Sequence, residues 1–258
     1  MGLSQAAVVQ ARPSGRWRAA LLDLDGTLLD SVPDLAHAAN AMRVEFGLPP
    51  LRDDVIATFV GRGIENLVRR ALAGSLDPQE PAVADAADRS AAPATGAQAA
   101  AGRFDRALAA FRRAYHLVNG EKARIFEGVP EGLRAMRELG LKLAVVTNKP
   151  EAFTLPLLER TGLRAYFDAV VSGDTCARKK PDPMPVLRAC ELLGVAPAEA
   201  VMVGDSMHDA AAGRAAGCPV LLVPYAYNEG RDVRMIEADG IVATLQDVAR
   251  WIAAPAKN

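Results

Sequence analysis

The sequence predicts an α/β protein, a doubly wound parallel sheet with a helical insert after its first strand. Three observations predict it. Short, nearly continuous apolar runs recur at residues 18–24, 141–147, 200–203 and 219–223, with a weaker one at 169–172. Beyond residue 122 they alternate with helical patterns at 131–139, 151–160, 185–193 and 209–216, as strands buried on both faces and covered by crossover helices do. Between the first two runs, residues 33–121 show helical spacing and no strand pattern.

In chain order, residues 1–15 form a loose leader that ends in Arg12-Pro13-Ser14-Gly15. The first strand runs straight into Asp23-Leu24-Asp25-Gly26-Thr27. Helices are expected at 33–46, 53–59, 64–72 and 103–118, punctuated by Gly47, Gly61-Arg62-Gly63 and Gly74. Residues 77–102 are rich in alanine, carry Pro78, Pro81 and Pro93 and lack large apolar groups. They read as a disordered or poorly packed connection. Residues 16–32 and 122–258 then form the α/β core, and 33–121 a helical cap able to hinge over it as a lid.

Composition narrows the function. Half of the 258 residues are hydrophobic, the formal net charge is −1, and Phe and Tyr number only 7 and 4. A basic surface with stacking aromatics is absent, so nucleic acid is not an expected partner. The three cysteines, Cys176, Cys190 and Cys218, show no CxxC spacing. That argues against a disulfide framework or a thiolate metal site and suits a reducing cytoplasm. Neither a secretory signal nor an apolar run of about 18–20 residues appears, so no membrane association is expected. Nothing in the chain marks an oligomeric state.

In a doubly wound sheet ligands bind beyond the carboxyl ends of the strands. Four polar clusters fall there: Asp23-Leu24-Asp25, Thr147-Asn148-Lys149, Ser172-Gly173-Asp174 and Gly204-Asp205-Ser206, all expected to converge on one crevice. Asp23 and Asp25, two apart on an extended chain, project to the same side and repel unless a cation lies between them. A divalent ion with oxygen ligands meets that need. Asp205, also behind an apolar strand, repeats the pattern. Several neighbours have plainer readings. Thr147-Asn148 alone would be a strand-end cap, and Asp30, Asp174 and Asp182 suit caps and turns. His37, His116 and His208 share no metal-ligand spacing, and Cys176 reads as an inert thiol.

Taken together, Asp23-x-Asp25-Gly26-Thr27, Thr147-Asn148-Lys149, Lys180-Pro181-Asp182-Pro183 and Gly204-Asp205-Ser206-x-x-Asp209 occur in an order that resembles the haloacid dehalogenase superfamily of phosphohydrolases. The resemblance spans residues 17–251. The wording from Thr27 to Leu35, Val60-Gly61-x-Gly63, Gly128-Val129 and Lys180-Pro181-x-Pro183 looks most like its phosphoglycolate phosphatases. That likeness implies a Mg2+-dependent phosphomonoesterase acting on a small phosphorylated metabolite through an aspartyl-phosphate. Asp23 would be the nucleophile. Asp25 would protonate the leaving alkoxide and then deprotonate water, which requires an upward-shifted pKa while Asp23 stays ionised. Magnesium would be held by Asp23, the carbonyl of Asp25, and Asp205. Thr147, Asn148 and Lys180 would bind the phosphoryl oxygens, with Lys180 preferred to Lys179 because it directly precedes proline. Thr27, Ser206 and Asp209 would support them; Asp209 would hold either a magnesium-bound water or Lys180. Arg62, between two glycines of the insert, could reach a substrate carboxylate, although a solvated loop arginine is an equal reading.

Single residues separate the rivals. A dehalogenase needs no second acid, yet Asp25 is present. A phosphonate-cleaving relative uses a cap lysine, and residues 33–121 contain none. A sugar phosphomutase would use Asp23 and Asp25 equally well. A phospho-accepting signalling module would lack the insert and Asp25.

Overall fold

The computed structural model describes residues 17–77, 96–225 and 227–254. The expected leader at 1–15 and most of the alanine-rich connection lie outside the described residues. The chain forms β1 (Ala19–Leu22), β2 (Leu29–Asp30), β3 (Arg124–Ile125), β4 (Lys142–Val146), β5 (Ala169–Val171), β6 (Ala200–Gly204), β7 (Val220–Leu222) and β8 (Gly240–Ile241). Six of these make one parallel sheet, ordered β5-β4-β1-β6-β7-β8. β1 is central, with Leu21 registered against Ala144 on one side and Met202 on the other. The order reverses at β1, where the carboxyl ends of neighbouring strands open a crevice.

Side chains alternate between two apolar layers, as the period of two requires. Leu22, Val145 and Val203 face a layer shared with Leu133 of α5 (Val129–Glu138), Leu157 of α6 (Glu151–Arg160) and Ile252 of α9 (Leu245–Ala253). Leu21, Ala144 and Met202 face the layer of Val186 in α7 (Met184–Leu193) and Ala212 in α8 (Met207–Ala216).

The insert comprises α1 (Val32–Glu45), α2 (Asp53–Ala57), α3 (Ile64–Ala73) and α4 (Gly96–Val118), gathered round Met42, Phe59, Leu67, Phe111 and Tyr115. Its two connections to the sheet are tied by the antiparallel pair β2 and β3. They are also tied by the fully buried Asp34, whose carboxylate accepts the N–H groups of Gly120, Lys122 and Ala123. Five elements differ from the sequence expectation. α4 starts at Gly96 and not at 103, because alanine is the strongest helix former and four of the residues just before Arg103 (Ala97, Ala99, Ala100, Ala101) are alanine. The two-residue strands β2, β3 and β8 are too short to show a period. α9 lies outside the expected helices, although the Thr244/Asp247 capping pair before Leu245 and Val248 marks its start. Among the described residues no helix is long and apolar enough to cross a membrane.

Candidate active site

The floor of the crevice is built from the ends of β1 and β6. Asp23, Asp205 and Asp209 are buried, and their carboxylates each bring an oxygen within 4.8 Å of the other two. Lys180 stands among them, its Nζ 2.8 Å from Asp23 Oδ1, 2.6 Å from Asp209 Oδ1 and 2.7 Å from the carbonyl of Val146. Asp209 Oδ2 accepts the hydroxyl (2.6 Å) and N–H (3.1 Å) of Ser206 at the start of α8. Of the two roles considered for Asp209, the geometry has it holding Lys180. Gly204 makes this possible, since a Cβ there would lie 2.3 Å from the Asp209 side chain. Asp205 accepts the Thr27 hydroxyl and the Tyr227 N–H, each at 3.2 Å.

The wall is the turn after β4. The Asn148 side chain donates to the carbonyls of Lys180 and Gly61 and accepts the Lys180 N–H, all at 2.9 Å. The buried Thr147 hydroxyl accepts the Lys149 N–H. Three of the four polar clusters thus line the crevice. The fourth does not: Gly173 donates to the Lys149 carbonyl, Asp174 caps α6 through Glu151, and a Cβ on Gly173 would lie 2.1 Å from the Asn148 carbonyl oxygen. That cluster buttresses the wall from behind because β5 ends one strand farther from the switch point than β4.

Burial dominates the electrostatics of the acidic floor. Burial pushes the Asp23 carboxyl up to about 7 against the pull of Lys180, and pushes Asp205 well above the usual carboxylate range. Lys180 is itself disfavoured by burial, but Asp209 and Asp23 outweigh that and hold it protonated. Asp25 lies to one side, its carboxylate 3.0 and 3.1 Å from Lys149 Nζ and 2.5 Å from the Ser31 hydroxyl, which donates to it. Burial opposes the Lys149 charge, and Asp25 together with Tyr115 outweighs it. Sequence reasoning did not foresee a buried ammonium against Asp25, because Lys149 carried no assigned role.

The donor set fits a magnesium ion. Three buried carboxylates face one ammonium, that of Lys180, and every oxygen donor is hard.

Above this floor the insert supplies Leu35, Val60, Gly61, Gly63, Ile64 and Leu67, which face Asp23, Asp25, Thr147, Asn148 and Lys149 across a narrow cleft. Arg62 turns away from it. Its Nε lies 2.7 Å from Glu229 Oε1 and 3.2 Å from His208 Nε2, and Arg70 reaches the same Glu229 oxygen at 2.8 Å. Lys179 pairs with Glu65 of the insert at 2.9 Å. The loop after β7 therefore matters twice: Tyr227 touches Asp205, Asp30 and Ser31, while Glu229 grips the insert. Sequence reasoning missed both residues, although the rule of strand carboxyl ends applied to β7 would have reached them.

Residues 20–223 match the family described as haloacid dehalogenase-like hydrolase. The chain belongs to that family. A phosphoglycolate phosphatase from Thiobacillus denitrificans is 44% identical over 91% of this chain and 95% of its own length. One from Nitrosospira multiformis is 46% identical over the same shares. Among solved structures, a predicted phosphoglycolate phosphatase from Haemophilus somnus superposes with a TM-score of 0.80 at 28% identity, covering 93% of this chain and 99% of that one. The haloacid dehalogenase-like fold thus runs through both the sheet and the helical insert.

Proposed function

We propose that the protein is a magnesium-dependent phosphomonoesterase that converts 2-phosphoglycolate and water to glycolate and phosphate in the cytoplasm. The observation that carries this reading is the meeting of Asp23, Asp205 and Lys180 at one point, in a chain so similar along its length to curated phosphoglycolate phosphatases. Asp23 attacks phosphorus as the ester oxygen departs, giving an aspartyl-phosphate, and water then cleaves that intermediate. Asp25, on the leaving-group side, delivers the proton to the alkoxide and takes one from the attacking water.

Charge grows on the equatorial oxygens during each displacement, and the Thr147 hydroxyl, the Asn148 N–H and the Lys180 ammonium would meet it. The Asp23 and Asp205 carboxylates and the Asp25 carbonyl would hold magnesium, which when bound neutralises charge between nucleophile and phosphate. Residues 33–121 act as the lid, keeping bulk water from the cleft. Steady-state hydrolysis of 2-phosphoglycolate, pyrophosphate, glucose 1-phosphate and sugar acid phosphates tests the assignment. Phosphoglycolate is expected among the best substrates by kcat/KM; a poor rank there rejects the substrate while leaving the reaction class.

A further inference from the structure

We propose that Lys149, and not Arg62, recognises the substrate carboxylate, an assignment that rests on the function proposed above and names the residue behind its specificity. Lys149 Nζ is buried, its side chain 2% exposed, yet it borders the cleft and touches both oxygens of Asp25. Asp25 serves the ester oxygen, and in phosphoglycolate the carboxylate lies one methylene beyond that oxygen. A cation in contact with Asp25 is therefore within reach of it.

The rest of the cleft offers no competitor. Among the described residues that line it, Lys149 is the only cation, and the insert contributes only Leu35, Val60, Ile64, Leu67 and two glycines. A carboxylate pressed against that wall without a partner would lose its hydration uncompensated. Arg62 is committed to Glu229 and His208, Lys179 to Glu65, and Lys180 to Asp23 and Asp209. Lys149 can still turn a donor to a substrate: an ammonium carries three N–H groups, its bonds to Asp25 account for two, and the third has only the neutral Tyr115 side chain beside it. The Tyr115 ring, its centroid 4.9 Å from Nζ, bounds the lysine on the insert side. Nor is the required arrangement foreign to this site. Lys180 already bridges two carboxylates, and Lys149 would bridge Asp25 and the substrate in the same way.

The test compares 2-phosphoglycolate with ethyl phosphate, which keeps the phosphate and two-carbon chain but carries a methyl where the acid was. The full-length enzyme with Mg2+ is assayed as wild type, Lys149→Met, Lys149→Arg and Arg62→Met. Wild type should prefer phosphoglycolate in kcat/KM. Lys149→Met should shrink that preference by roughly tenfold to a hundredfold, the loss expected for a charge-assisted hydrogen bond. Lys149→Arg should retain part of the preference and Arg62→Met nearly all of it. Equal losses on both substrates in Lys149→Met would mean the lysine serves only Asp25, and would overturn the proposal. So would collapse of the preference in Arg62→Met with Lys149→Met unaffected. If Lys149→Met does not fold, the same ratio in Lys149→Arg and Arg62→Met decides: a shift only in the former supports the proposal, and a shift only in the latter overturns it. A wild type without preference rejects phosphoglycolate as substrate instead.

Discussion

Glu229 should be the strongest single clasp between insert and core. Its side chain is 5% exposed and accepts from Arg70, equally buried, and from Arg62, which is 41% exposed. Glu229 also holds φ 52, a left-handed conformation that costs a non-glycine residue about 1–2 kcal/mol, so the clasp must outweigh that cost. Glu229→Ala keeps the backbone cost and strands a buried guanidinium, a change that costs about 3–5 kcal/mol in comparable pairs. Arg70 retains the carbonyl of Leu76 at 3.1 Å as an acceptor, and Arg62 can rehydrate, which places the loss near the lower bound, about 3 kcal/mol. At about 2–4 °C per kcal/mol for a chain of this size, Tm should fall by about 6–12 °C. The assays are thermal unfolding by circular dichroism and amide hydrogen exchange over α3, where protection should drop.

The effect should also depend on pH. Burial raises the Glu229 carboxyl, but Arg70 and Arg62 outweigh it and hold it below the usual glutamate range. Its contribution is then complete above the unfolded value of about 4.3 and is lost as pH falls through the lower folded value. The Tm gap between wild type and Glu229→Ala should be constant near neutrality and close below about pH 4. A variant within about 2 °C of wild type at pH 7, with α3 protection unchanged, refutes the clasp.

Other consequences can be checked separately. Asp23→Asn should fold yet lose turnover on the order of a thousandfold or more in steady-state assays, as removal of a nucleophile does elsewhere. Chelation should abolish activity and Mg2+ restore it. Saturating Mg2+ should also raise Tm, by the equivalent of about 2.7 kcal/mol at a hundred times Kd, and Asp205→Asn should erase that rise in a thermal-shift titration. Gly204→Ala places a Cβ 2.3 Å from Asp209 and should cost about 3 kcal/mol, with activity falling as Lys180 loses its brace. A Gly204→Ala enzyme of wild-type Tm and rate would contradict the packing described.

The sheet and its acidic floor were legible in the chain because their information is local. A short, nearly continuous apolar run reads as a strand buried on both faces wherever it lies, and the carboxyl-end rule then carries Asp23, Thr147 and Asp205 to one crevice without knowledge of the packing. Gly204 before Asp205, and Ser206 three residues before Asp209, fix the start of α8 by contacts within a few residues of each other. Pairings between distant segments were not legible. Nothing near residue 62 says that Arg62 meets Glu229, nor anything near residue 149 that its ammonium lies against Asp25 and Tyr115. Ion pairs of this kind depend on where loops 124 or 167 residues apart come to rest, and burial alone makes them strong. The sequence by itself determined the sheet, the insert and the acidic floor; only the tertiary structure decided which cation lines the cleft and which hold the insert down, because charge partners are chosen by proximity in space.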